Sequence, residues 1–199
     1  MHKGMDKDFF NFLKNAYTNG LCEEYRDEIR GCNDDKLALM RLAMRQQSIP
    51  FVATKMHEGV LTKRYIQKTF GEYLNGFVLH DCDDVKGYTY AMYLDYDYDN
   101  DLNIDVDVAH VAFTVGASIV VPLTKCPTIY ISNRSNVHLV CEGYNNIRIY
   151  LFDKSKVTIE DCDDTCDILV YRYSDNCEMA KGRFCLSKKI SDFRKRLKL

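Results

Sequence analysis

The feature that most constrains this chain is a run of short apolar segments: "VAFTV", "SIVVPL", "TIYIS", "VHLVC", "IRIYLF", "VTIED" and "DILVYRY". Their centres lie about nine or ten residues apart, and turn formers such as "NRSN", "GYNN", "DKSK" and "DCDD" separate them. Segments this short, rich in Val, Ile and Tyr, fit strands better than helices. The cadence admits a solenoid that stacks strands in parallel, or an antiparallel meander. "SNVHLV", "NNIRIYL" and "SKVTIE" read as degenerate copies of one unit, and Asn, Asp and Ser can stack from coil to coil, so the solenoid is favoured.

Upstream of Gly76 the apolar period is helical. Phe9, Phe10 and Leu13 share one face, Leu21, Tyr25 and Ile29 recur every four residues, and Leu37, Met40 and Met44 line another stripe. Asn33, Asp34 and Asp35 are cap candidates for that stripe, Pro50 marks a new start, and Thr62 can cap a helix carrying Leu61, Tyr65, Ile66, Phe70 and Tyr73. The predicted architecture is α+β. A helical subdomain (1–76) precedes an all-β repeat region (77–186), a short β-solenoid or an antiparallel meander. A C-terminal capping helix (187–199) follows, with Ile190, Phe193 and Leu197 on its apolar face and six basic residues elsewhere. That helix is read as a cap rather than a nucleic-acid arm, because its basic residues lack interleaved aromatics.

"DYDYDNDLNIDVD" places Asp or Asn at every odd position from Asp95 to Asp107, with mostly apolar residues between. An EF-hand loop starting at Asp95 fails at position 6, which is Asn100 rather than Gly, and at position 12, which is Val106 rather than Glu. The alternation instead predicts two strands with a turn near Asp99 to Asp101, one face apolar and the other wet. Asp95, Asp97, Asp99, Asp101, Asp105 and Asp107 would share the wet face and meet a protein partner there. Charge distribution supports this: the net charge of −2 conceals −10 over residues 81–175 against +6 over residues 176–199.

Nothing points to catalysis. Gly-rich phosphate loops, GxSxG and HExxH are missing, and His2, His57, His80, His110 and His138 form no ligand-spaced pair. "HDCDD" (His80 to Asp84) is the densest polar cluster and reads as a turn before the strands. Nine cysteines are scattered along the chain, and in a reducing compartment they are small buried hydrophobes. Cys162, Cys166, Cys177 and Cys185 lack the tight CxxC spacing of a zinc knuckle, so neither metal nor cofactor is expected. No apolar run approaches the ~20 residues of a membrane span, and "MHKGMDKDFFNFLKNAY" lacks a signal-peptide core.

The helical head ending in "GVLTKRYIQKTFGEYLNG", followed by "GYTYAMYLDYDYD" and a strand tail punctuated by Asn and Asp, resembles small proteins encoded by phages and mobile elements of gut bacteria. The resemblance implies an accessory role and carries over no catalytic residue. The expected function is therefore non-enzymatic: a phage or prophage accessory protein, in the host cytoplasm or the virion, that binds a host or phage protein through its acidic β surface. Nucleic acid and membrane are not expected partners, and edge-to-edge self-association is allowed. The alternative is a small carbohydrate-binding or carbohydrate-active β-helix protein. Its 14 tyrosines could stack on sugars, and Asp161 with Asp163 or Asp164 would supply paired carboxylates.

Overall fold

A computed structural model describes residues 23–32, 35–45, 48–71, 78–83, 88–94, 101–143, 146–162, 165–173, 178–180 and 185–189. Four described helices come first: α1 (Glu23–Cys32), α2 (Lys36–Met44), α3 (Ile49–His57) and α4 (Lys63–Phe70). Their starts follow the expected chemistry. Asp35 accepts from the Ala38 N–H, Thr62 accepts from the Tyr65 N–H, and Pro50 sits in the first turn of α3, where its missing N–H costs nothing. The segments around Phe9 and Tyr73 lie outside the described residues.

Strands β1 (Val78–Asp83) and β2 (Tyr88–Leu94) pair antiparallel, and every later pairing is parallel. His80 to Asp83 therefore belong to a strand, not to the turn expected at "HDCDD". Their backbone groups are engaged by β2, which overrides the local turn preference of Asp. From β2 onward the chain alternates between two sheets. Sheet A holds β1, β2, β4 (Val108–Ala112), β6 (Thr128–Ser132), β8 (Asn146–Leu151), β10 (Asp167–Arg172) and β12 (Cys185–Lys189) in that order. Sheet B runs β3 (Leu102–Asn103), β5 (Val115–Val121), β7 (Asn136–Cys141), β9 (Lys156–Asp161) and β11 (Glu178–Ala180). The meander is thus excluded and the solenoid stands.

One coil consists of one strand from each sheet, so Ile129 pairs with Ile149, and Leu139 pairs with Ile159, twenty residues on. The nine- or ten-residue cadence is half a coil. Inside, side chains stack in ladders: Ala109, Ile129, Ile149 and Val170 from sheet A face Ile119, Leu139 and Ile159 from sheet B. All seven are buried, and each large aliphatic contributes about 1.5–3 kcal/mol by leaving water.

The two sheets differ on their outer faces. Met40, Ile49, Val52, Ala53, Met56, Leu61 and Ile66 pack onto Tyr90, Met92, Leu94, Val108, Ala112, Tyr130 and Phe152, all on the outer face of sheet A. The helices thereby roof the first coils. This explains why β4 and β6 are buried at every position, whereas β7, β8 and β9 alternate. Strand β2 is covered on both sides: Tyr90 to Leu94 are all buried, Ala91 and Tyr93 in the solenoid and the others under the roof.

At the corners from sheet A to sheet B, Phe113, Asn133, Arg134 and Asp153 adopt positive φ, the left-handed conformation that Asn and Asp tolerate best. Ser135 accepts from the Thr114 N–H at 3.1 Å, so hydroxyls bind one corner to the next as the sequence suggested. Ser187, Lys188 and Lys189, placed at the start of a C-terminal helix by the sequence pattern, pair with β10 in β12 instead. Residues 190–199, which carry Phe193, lie outside the described residues.

Candidate functional site

Of the six expected partner-binding aspartates, Asp101, Asp105 and Asp107 are described; Asp95, Asp97 and Asp99 lie outside the described residues. Around β3 the predicted alternation holds. Leu102, Ile104 and Val106 are buried, while Asp101, Asn103 and Asp105 are exposed. The Ile104 N–H donates to the Val120 carbonyl at 2.9 Å, which fixes this segment along the edge of sheet B.

Asp107 has a different task. Its carboxylate accepts from the Thr89 N–H at 2.8 Å and from the Thr89 hydroxyl at 2.9 Å, and its own N–H donates to the Thr89 carbonyl at 3.1 Å. It ties the corner before β4 to strand β2. Asp101 and Asp105 carry no such tie.

Behind β3, the outer face of sheet B presents two rows of side chains. Register places Ser118, His138 and Thr158 in one row, and Asn103, Val120, Val140 and Glu160 in the next. All are exposed or half-buried. His138 Nε2 lies 3.0 Å from Glu160, an ion pair on the surface when the imidazole is protonated. The core that binds helices to strands draws its strand residues from sheet A, so this face stays open among the described residues.

Several chemical readings can be weighed against the geometry. His110 and Ser132 are both fully buried on the roofed face of sheet A, with Nε2 2.9 Å from Oγ. A Ser–His pair can make a nucleophile when the imidazole takes the hydroxyl proton. Here Ser132 donates to Asn133 Oδ1 at 2.6 Å, so His110 supplies the proton to Ser132 and its Nδ1 has no partner. Burial lowers the imidazole to about 3, keeping it neutral. This pair is a buried polar tie that no substrate can reach. It continues outward: the Asn133 N–H donates to Asp153 at 3.1 Å, and Asp153 receives His57 Nδ1 of α3 at 2.8 Å. Burial pushes the Asp153 carboxyl above its ordinary range, against the opposing pull of the Asn133 N–H, His57 and Arg134. No sequence signal united these residues, beyond Asn133 in "NRSN" and Asp153 in "DKSK" as turn formers.

Among the described residues, four tyrosines stack on neighbouring rings. Tyr130, Tyr150 and Tyr171 form a ladder with centroids 4.8 Å apart, and Phe152 stacks on Tyr173 at 4.6 Å. Both faces of Tyr150 are therefore covered by neighbouring rings. A sugar platform needs an open ring face, which this ladder does not offer at Tyr150.

Among the described residues, no group of three or more His, Cys, Asp or Glu side chains is placed to hold a metal ion. Of the four cysteines weighed for zinc, Cys166 is buried and points its thiol at the Gly143 carbonyl, 2.9 Å away, while Cys162 is exposed; the side chains of Cys177 and Cys185 lie outside the described set. No described helix is long and apolar enough to cross a membrane. No family model, no curated protein and no solved structure matches this chain.

Proposed function

We propose that the chain is a non-enzymatic binding scaffold that presents the outer face of sheet B, with its acidic β3 edge, to a protein partner. The supporting observation is the asymmetry of the two sheets. Helices roof sheet A, while sheet B holds Ser118, Val120, His138, Val140 and Thr158 in flat rows at or near the surface, flanked by Asp101, Asp105 and Glu160. A regular parallel sheet holds these groups at fixed spacing, so little conformational freedom is lost on binding. The acidic rim favours a basic partner surface and accelerates encounter. The resemblance to phage and mobile-element proteins supports an accessory role, and a host or phage protein is the partner of this reading.

The test is capture from lysate on the immobilised chain, repeated with Asp95, Asp97, Asp101 and Asp105 all changed to Asn. Asp107 is left intact because of its tie to Thr89. The reading predicts a partner whose affinity falls about tenfold or more in the variant and declines with added salt. No captured partner, or equal capture by parent and variant, contradicts it.

A further inference from the structure

Helices and strands are packed by two separate cores that share one boundary. The solenoid core runs from Ala91 to Val170 and contains no residue of α1 to α4. Helical side chains belong to a second cluster, in which Met40, Ile49, Val52 and Met56 join Met92, Tyr130 and their neighbours on the outer face of sheet A. The roof can therefore leave without opening the solenoid core or breaking a strand pairing, the kind of local opening that precedes global unfolding in many proteins. His110 stands on that boundary. Register sets it beside Met92 of β2 and Tyr130 of β6, both under the roof, and it is fully buried. Its Nε2 bonds to Ser132, while Nδ1 has no partner. The cluster residues that α2, α3 and α4 bring to this face are apolar. Of the charged side chains on these helices, Arg41, His57, Arg64 and Lys68 are exposed, Lys36 and Lys63 are half-buried, and Lys55 pairs with Glu58 at 2.6 Å. On the strand side, Asp153 is engaged by the Asn133 N–H and by His57. No carboxylate accepts from Nδ1 of His110.

We propose that the roof is an acid-released lid: protonation of His110 lifts α2, α3 and α4 from sheet A while the solenoid keeps its strands. The neutral imidazole satisfies Ser132 with one N–H and leaves a bare Nδ1 among apolar groups. Protonation puts a second N–H and a positive charge there, and neither is satisfied until water enters. Lifting the roof admits that water. Burial holds the imidazole near 3 under the closed roof, and opening returns it toward the ordinary 6.5. The open form therefore binds the proton more tightly, and opening becomes easier as pH falls from 6.5 toward 3. The pair of His57 and Asp153 at the edge of the roof joins α3 to the corner after β8, and burial raises the Asp153 carboxyl, so neutralising Asp153 in acid favours the closed form. That opposing contribution is held constant in the test. Opening uncovers Tyr90, Met92, Tyr130 and Phe152, an apolar patch on sheet A that is buried under the closed roof.

Backbone hydrogen exchange of the full chain, read by mass spectrometry at several pH values and corrected for the intrinsic exchange rate at each, tests the lid. The parent is compared with His110→Gln and His110→Phe. Both variants keep His57 and Asp153, and neither replacement titrates. In the parent, amides of α2, α3 and α4 should be at least about tenfold less protected than those of β5, β7 and β9, and from about pH 6 to about pH 4 their protection should fall about tenfold more per pH unit than in either variant. Equal protection of helices and strands would make roof and solenoid one cooperative unit and overturn the proposal. So would helices whose protection follows pH alike in the parent and in whichever variant folds.

Discussion

His110 shows what a buried residue costs this fold when conditions change. It sits fully buried between sheet A and the roof, hydrogen-bonded through Nε2 to Ser132 and without a partner at Nδ1. The folded protein holds its imidazole near 3, against 6.5 ordinarily, so the unfolded chain binds the proton first as pH falls. The sign follows from linkage: this contribution to stability is complete above pH 6.5 and is lost as pH drops from 6.5 toward 3, at up to about 1.4 kcal/mol per pH unit. Asp153, whose carboxyl is raised by burial, acts in the opposite sense. The two are separated by comparing urea unfolding of the parent and of His110→Gln between pH 7 and pH 4. Below about pH 6.5 the parent should lose stability relative to the variant, and parallel decline would show that His110 is not held neutral.

At the scale of elements, the links between coils decide which acidic residues hold the fold and which face outward. Asp107 joins a corner to β2 through two hydrogen bonds to its carboxylate, so Asp107→Ala should cost about 1–3 kcal/mol by leaving the Thr89 donors without that acceptor. Asp105→Ala, at an exposed position, should stay within about 0.5 kcal/mol. Thermal melts of the two variants check this, and equal shifts would erase the distinction. The sequence could not make it, because Asp105 and Asp107 occupy the same phase of a two-residue alternation and differ only in what the next strand places beside them. Other parts were legible. The caps at Asp35 and Thr62 are local chemistry, and "SNVHLV", "NNIRIYL" and "SKVTIE" turn out to be β7, β8 and β9, three successive half-coils. The buried outer face of Tyr90, Met92 and Leu94 was hidden because roofing depends on the helices, more than thirty residues earlier for Met40 and Ile49, and no local pattern records it.

For the whole molecule, the account describes a solenoid with about twenty residues per coil, one sheet roofed by helices and the other left open. The proposed binding face depends on that register, since Ser118, His138 and Thr158 form one row only if the strands stack in parallel. Methyl and aromatic nuclear Overhauser contacts in solution measure the register directly. The structure predicts contacts from Ile149 to both Ile129 and Val170, from Leu139 to both Ile119 and Ile159, and from β6, which carries Tyr130, to apolar residues of α3. Contacts whose sequence separation shrinks by two with each step along a strand, the signature of antiparallel pairing, or a Tyr130 ring without helical neighbours would contradict it.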